Sequence, residues 1–232
     1  MTRSRGKQHL DSRIAIGLRS VRGGAVLVAV AIAAGEPQLV VSTMLPTADA
    51  GDSLALAPYQ AAASCPTPSN GSASAGAEAV VAEGRRRQHA TARKNLASIL
   101  DLLREQGHVP IGAALLVNRA GWVTDLLSYS LEHAEHVPVA DGLAVRDAVR
   151  GAFEQADIAV TEYDEKSLPD RAVTDLSTTA ERLDGQLRRI GATSKPWRKE
   201  QKTACLAAWH LLATSGVHPS SRRAPRRAKP RR

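Results

Sequence analysis

The chain has 232 residues, a formal net charge of +8, 43% hydrophobic residues and only 3% aromatic ones. That length suits one domain of ordinary size with tails, or two small ones, and an apolar fraction rich in alanine buries little area per residue. Two cysteines, Cys65 and Cys205, far apart and without CxxC spacing, exclude a zinc ribbon and a thioredoxin-type motif.

The charge is placed unevenly. Residues 1–24 carry +5 and residues 222–232 carry +7, which leaves −4 on the 197 residues between them. On this reading only the ends attract polyanions strongly. Ala25–Ala34 is then continuously apolar, too short for a membrane-crossing helix, which needs about 20 residues. The run fits the apolar core of a secretory signal, with Ala31-Ile32-Ala33 as a small-x-small site; a buried β-strand or a disordered leader is the alternative. Residues 1–36 are therefore expected to be a basic and apolar leader. From 37 to 77, repeated prolines and the run SNGSASAGA predict a disordered linker. Asn70-Gly71-Ser72 in it matches a glycosylation triplet.

Regular structure is expected from Glu78. A helix over 78–106 begins with Arg85, Arg86, Arg87, Arg93 and Lys94, continues through Leu96, Ile99, Leu100 and Leu103, and stops at Gly107. Leu115, Leu116, Trp122, Val123, Leu126, Leu127 and Leu131 predict a second helix over about 112–136, buried on more than one side. Asp141 suits the cap of a third, reaching about Ala156 with Phe153 inward, and Ile158–Tyr163 reads as a short extended piece. Over Asp170–Ile190 the apolar residues Val173, Leu176, Ala180, Leu183, Leu187 and Ile190 step by three and four, one stripe on one helix face. A last helix, about 197–214, carries Ala204, Ala207, Ala208, Leu211 and Leu212 on one side. The whole predicts an all-α bundle of about five helices over about 78–217. Residues 218–232 read as a disordered basic tail.

No phosphate loop, glycine fingerprint or nucleophile elbow occurs. Glu132, His133, Glu135 and His136 crowd one helix end, where imidazolium suits the negative dipole, and no metal site or cofactor is expected. Glu162, Asp164 and Glu165 form an acidic patch without a partner base. Asn95–Leu131 resembles a helix-turn-helix unit, but the segment WVTDLLSYSLEHAEH, which would read the groove, is acidic and lacks Arg and Lys.

The basic side chains are the better contact candidates. They are Arg85, Arg86, Arg87 and Lys94; Lys195, Arg198, Lys199 and Lys202; and Arg222, Arg223, Arg226, Arg227, Lys229, Arg231 and Arg232 in the tail. Neutralising phosphates with them gives affinity without sequence choice. Within 126–187, the runs LLSYSLEHAEH, VRDAVRGAFEQADIAV and LPDRAV resemble GrpE-type nucleotide exchange factors, although Ser167-Leu168-Pro169-Asp170 stands where that family has its signature. The resemblance implies a cochaperone. The expectation drawn from the residues is a non-enzymatic helical accessory protein acting on a protein partner, with self-association through the 170–190 seam. A sequence-non-specific nucleic-acid factor using the tail, and an exported helical protein, are the alternatives. The compartment expected is the cytoplasm, or the exterior if residues 25–34 act as a signal.

Overall fold

The computed structural model describes residues 12–66, 73–118 and 125–216. Its centre is a five-stranded mixed sheet in the order β3-β2-β1-β4-β5. The strands are β1 (Ser12–Val21), β2 (Gly24–Ala33), β3 (Glu36–Pro46), β4 (His108–Val117) and β5 (Val160–Asp164). β1, β2 and β3 form an antiparallel meander, while β4 and β5 run parallel to β1. The all-α bundle is thereby corrected. Residues 12–46, expected as leader and linker, supply three of the five strands, and Ala25–Ala33 lies in β2.

The local reasons are plain once the pairing is seen. In β1, Ile14, Ile16 and Leu18 point to one face, and Ala15 and Gly17 to the other. That alternation is the period of a strand. β2 is apolar throughout because helices cover both of its faces. Arg22-Gly23 makes the tight turn between them, with Gly23 at φ 75°, where a side chain would be strained.

Parallel pairing of β1 with β4 demands a long crossover. It is supplied by α1 (Ser53–Leu56), α2 (Pro58–Ala62) and the 31-residue α3 (Ala75–Glu105). α3 matches the first predicted helix. The predicted helix over 112–136 does not form. Its first part is β4, because Gly107 ends α3 and an unbroken apolar run serves a buried strand as well as a buried helix. Its last part holds the short α4 (Leu126–Glu132). α5 (Val137–Gln155) then crosses back to β5, which occupies the predicted extended piece.

The regular stripe over 170–190 is two helices, α6 (Leu168–Asp175) and α7 (Ala180–Ile190). Ser177 at φ 48° breaks the helix, and the Thr179 hydroxyl accepts from the Arg182 N–H to start the next. Leu183 and Leu187 are buried in the chain's own second core, so the seam is occupied internally. α8 (Lys199–Thr214) closes the fold.

Two cores result. On one face α3 and α5 bring Leu96, Leu100, Leu103, Val149 and Phe153 onto Ile14, Ile16, Leu18 and Leu27. On the other, α8 lays Ala204, Ala207, Ala208 and Leu212 over Ala15, Val26, Val28 and Ala114, with α6 and α7 outside it. The approach of α8 to β1 is close: a Cβ added at Gly17 would stand 1.8 Å from the Ala204 carbonyl oxygen. Cys65 packs against the small cluster of α2, α3 and α5, and Cys205 is a buried residue of α8 itself, so both thiols are free and lie on opposite faces.

A polar clamp joins α6 to α8. The fully buried His210 donates from Nε2 to the Asp175 carboxylate at 2.8 Å, and its ring meets Tyr163 edge-on with centroids 5.1 Å apart. The hydrogen bond from His210, and then Arg171 beside it, hold the Asp175 carboxyl below its ordinary value. A lowered folded value contributes stability that is complete above the unfolded value, about 3.9, and is lost as pH falls through the folded one. Urea melts of wild type and Asp175→Asn should therefore differ at pH 7, and the difference should shrink steadily below about pH 4. A difference independent of pH would mean that the charge of Asp175 contributes nothing.

Candidate functional site

Because β1 and β4 are parallel neighbours at the middle of the sheet, their carboxyl ends open on the same edge. Crevices outside the carboxyl ends of such strands are the usual ligand sites of open sheets. Here the chain turns away at Arg22-Gly23 on one side and Asn118 on the other, while α5 and the α1–α2 corner rise above them. Between these walls lies a cleft of about 490 Å³, within the roughly 300–1,000 Å³ common for small-ligand sites.

One end of the cleft is polar. Ser20 comes from β1, Asn118 follows β4, and Arg146 comes from α5. The Arg146 Nη2 donates to the Asn118 Oδ1 at 2.5 Å, whereas its Nε is buried with no partner among the described residues. Burial draws its guanidinium below the ordinary arginine value, and arginine is still charged at neutral pH. The Ser20 hydroxyl is likewise buried and unpartnered among the described residues. A buried donor without a partner costs about 1–3 kcal/mol, so this end is built with hydrogen-bonding capacity that the described residues do not fill. Arg22, exposed, adds a second positive charge to the lining.

The rest of the lining includes the apolar Pro138, Val139 and Leu143, and Leu56, which lies against the Arg22-Gly23 turn. Asp141 also lines the cleft. It does not cap its own helix, as its sequence position predicts, since α5 already starts at Val137. Instead its Oδ1 accepts the Tyr59 N–H at 2.8 Å, in the first turn of α2. Burial raises its carboxyl, against the lowering effect of the Tyr59 and Gln60 N–H groups and of Arg22.

The opposite face of β1 holds a second convergence. Arg19 donates from Nε to Glu165 at 2.9 Å and from Nη1 to Glu200 at 3.4 Å. These carboxylates, one after β5 and one in the first turn of α8, share the single arginine. Glu162 pairs with Arg150, and Asp164 accepts the Lys166 N–H. The acidic patch is thus distributed among local partners. At the end of α4 the rings of Tyr129, His133 and His136 pack with centroids 5.0–5.9 Å apart. Among the described residues no group of three or more His, Cys, Asp or Glu side chains is placed to hold a metal ion.

The basic residues singled out by sequence are not brought together. Arg85 pairs with Asp147, Arg86 with Glu83, and Arg87 with Glu83 and Asp52. Lys94 is exposed on α3. Lys195 precedes α8, Arg198 is its N-cap, and Lys199 and Lys202 lie in its first residues, while residues 222–232 lie outside the described residues, as does Asn70-Gly71-Ser72. Ser20, Arg22, Asn118 and Arg146 were not singled out by sequence. The signal available was an arginine-glycine turn between two apolar runs. No helix among the described residues is long and apolar enough to cross a membrane.

No family model and no curated protein matches the chain. Solved structures align with it, among them two of RuvC. The structure of Thermus thermophilus RuvC is 16% identical over 87% of this chain and 95% of that one, with a TM-score of 0.46. T. thermophilus RuvC in complex with Holliday junction substrate is 17% identical over 87% of this chain and 94% of that one, with a TM-score of 0.47.

The expectation of a non-enzymatic helical accessory protein is corrected at this point. A bundle would work through helix surfaces, whereas this chain is a mixed sheet with helices on both faces and a cleft at its strand ends. The exchange-factor resemblance falls with it, because residues 126–187 include β5 and the helices wrapped around the sheet.

Proposed function

We propose that the protein binds nucleic acid, with a phosphate of the ligand seated in the cleft at the ends of β1 and β4. The observation that carries this reading is Arg146. It is a half-buried guanidinium tethered at one nitrogen by Asn118, with a buried Nε that no described residue satisfies, beside the unpartnered Ser20 hydroxyl. A phosphate presents several strong acceptors to a planar fork of donors, and arginine is the side chain that meets it in two places at once. Arg22 adds charge at the same cleft, and the two basic ends, +5 and +7, favour encounter with a polyanion.

The test is fluorescence anisotropy of a labelled single-stranded oligonucleotide across a salt series, with wild type, Arg146→Ala and Arg22→Ala/Arg146→Ala. Each phosphate contact removed should flatten the log–log salt slope by about 0.7 for a single strand. The double variant is expected to bind at least about tenfold more weakly near 150 mM salt, since charge-assisted hydrogen bonds are worth roughly 1.5–3 kcal/mol each. Unchanged affinity and slope in the double variant would show that the cleft is not the seat.

A further inference from the structure

We infer that the cleft accepts a single nucleotide unit, either a strand end or a free nucleotide, instead of tracking a length of backbone. The inference rests on the phosphate-seat reading above and adds what the remaining lining contributes. Along α5 the cleft residues fall in a fixed order: Pro138 and Val139 first, Asp141 to Leu143 next, Arg146 last. At 1.5 Å per residue, Arg146 lies about 10–12 Å along the helix from Val139 and Pro138. A nucleotide has the same order of chemistry over a comparable reach: an anion, a hydroxylated sugar and a flat, largely apolar base.

Each part meets a suitable group. The phosphate falls to Arg146, Ser20 and Arg22. The sugar hydroxyls have an acceptor in Asp141, whose carboxylate is already oriented by the Tyr59 N–H. The base has an aliphatic wall in Pro138, Val139 and Leu143, of which Val139 is 44% exposed as the structure stands. An exposed valine at the mouth of a charged cleft is what a base would cover. Among the described residues the wall has no aromatic platform of the kind on which successive bases stack in single-strand binding surfaces. The volume of the cleft suits one such unit. Aliphatic contact carries no hydrogen-bond code, so the choice among bases should be weak.

The experiment is calorimetric titration of the full chain with deoxyadenosine 5′-monophosphate, deoxyadenosine and inorganic phosphate, each also tested as a competitor of the labelled oligonucleotide. The mononucleotide is expected to bind at least tenfold more tightly than either fragment and to displace the oligonucleotide. Val139→Asp should reduce mononucleotide affinity at least tenfold and leave the thermal melting midpoint in place, because the side chain is at the surface. Mononucleotide binding no tighter than inorganic phosphate would overturn the single-unit inference while leaving the phosphate seat intact. So would an oligonucleotide that is sensitive to Arg146→Ala yet not displaced by the mononucleotide. Oligonucleotide binding indifferent to Arg22→Ala/Arg146→Ala would overturn the phosphate seat, and the single-unit inference with it.

Discussion

A Gly17→Ala chain is expected to lose about 3 kcal/mol or more of folding stability, at or beyond the upper end for an overpacked core. Gly17 is the middle of the central strand, and the added methyl would meet the carbonyl oxygen of Ala204 at 1.8 Å, its carbon at 2.7 Å and the Ala208 nitrogen at 3.0 Å. All three atoms belong to the backbone of α8, so no rotamer change relieves the clash. The helix must lift, and the small side chains that let it lie close, Ala204, Ala207 and Ala208, then lose contact with the sheet together. Urea denaturation followed by circular dichroism measures the loss. A change under about 1 kcal/mol would mean that α8 does not lie against β1 in solution.

Phe153→Ala should be the most damaging truncation, at about 3–5 kcal/mol. Phe153 is the only phenylalanine, fully buried, on the face of α5 that meets the sheet and α3. Its neighbours Ala148, Ala152 and Ala92 are small and cannot move in to fill the space. The cost therefore includes a cavity as well as lost transfer energy. For a chain of this length that corresponds to a fall of the melting midpoint by roughly 2–4 °C per kcal/mol. Phe153→Leu should retain much of the stability, and an alanine variant that melts within a degree or two of wild type would place the ring outside the core.

Much of the helical layer was legible and the sheet was not, for reasons that can be traced to particular residues. α3, α5 and α8 carry apolar periods with glycine or proline near their limits, and the reading from sequence found each of them close to its position. β1 has an equally clear period of two in Ile14, Ile16 and Leu18, but Arg13, Arg19 and Arg22 made the same stretch resemble the charged start of a signal segment. Arg19 is charged for an internal reason, as the partner of Glu165 and Glu200. β2 and β4 are buried on both faces and so have no alternation to display. A continuous run such as IGAALLV reads alike as strand or helix until its pairing partner is known. The 170–190 stripe misled in another way: its period is real, yet it continues across a break at Ser177 because α6 and α7 both face α8. The cleft was illegible because its polar side chains come from residues 20, 22, 118, 141 and 146, brought together only by the parallel pairing of β1 with β4.

The placement of the two cysteines makes this chain, in chemical terms, a single-thiol protein. Cys205 has no exposure, and burial pushes its thiol up to about 12, so almost none of it is thiolate at neutral pH. Cys65, just beyond α2, is partly exposed. A maleimide dye should therefore add once to the native chain and a second time only after denaturation. The same α1–α2 corner supplies Leu56 and Gln60 to the cleft. The wild-type sequence thus carries its own attachment point for an optical reporter near the proposed ligand, with no engineered residue needed.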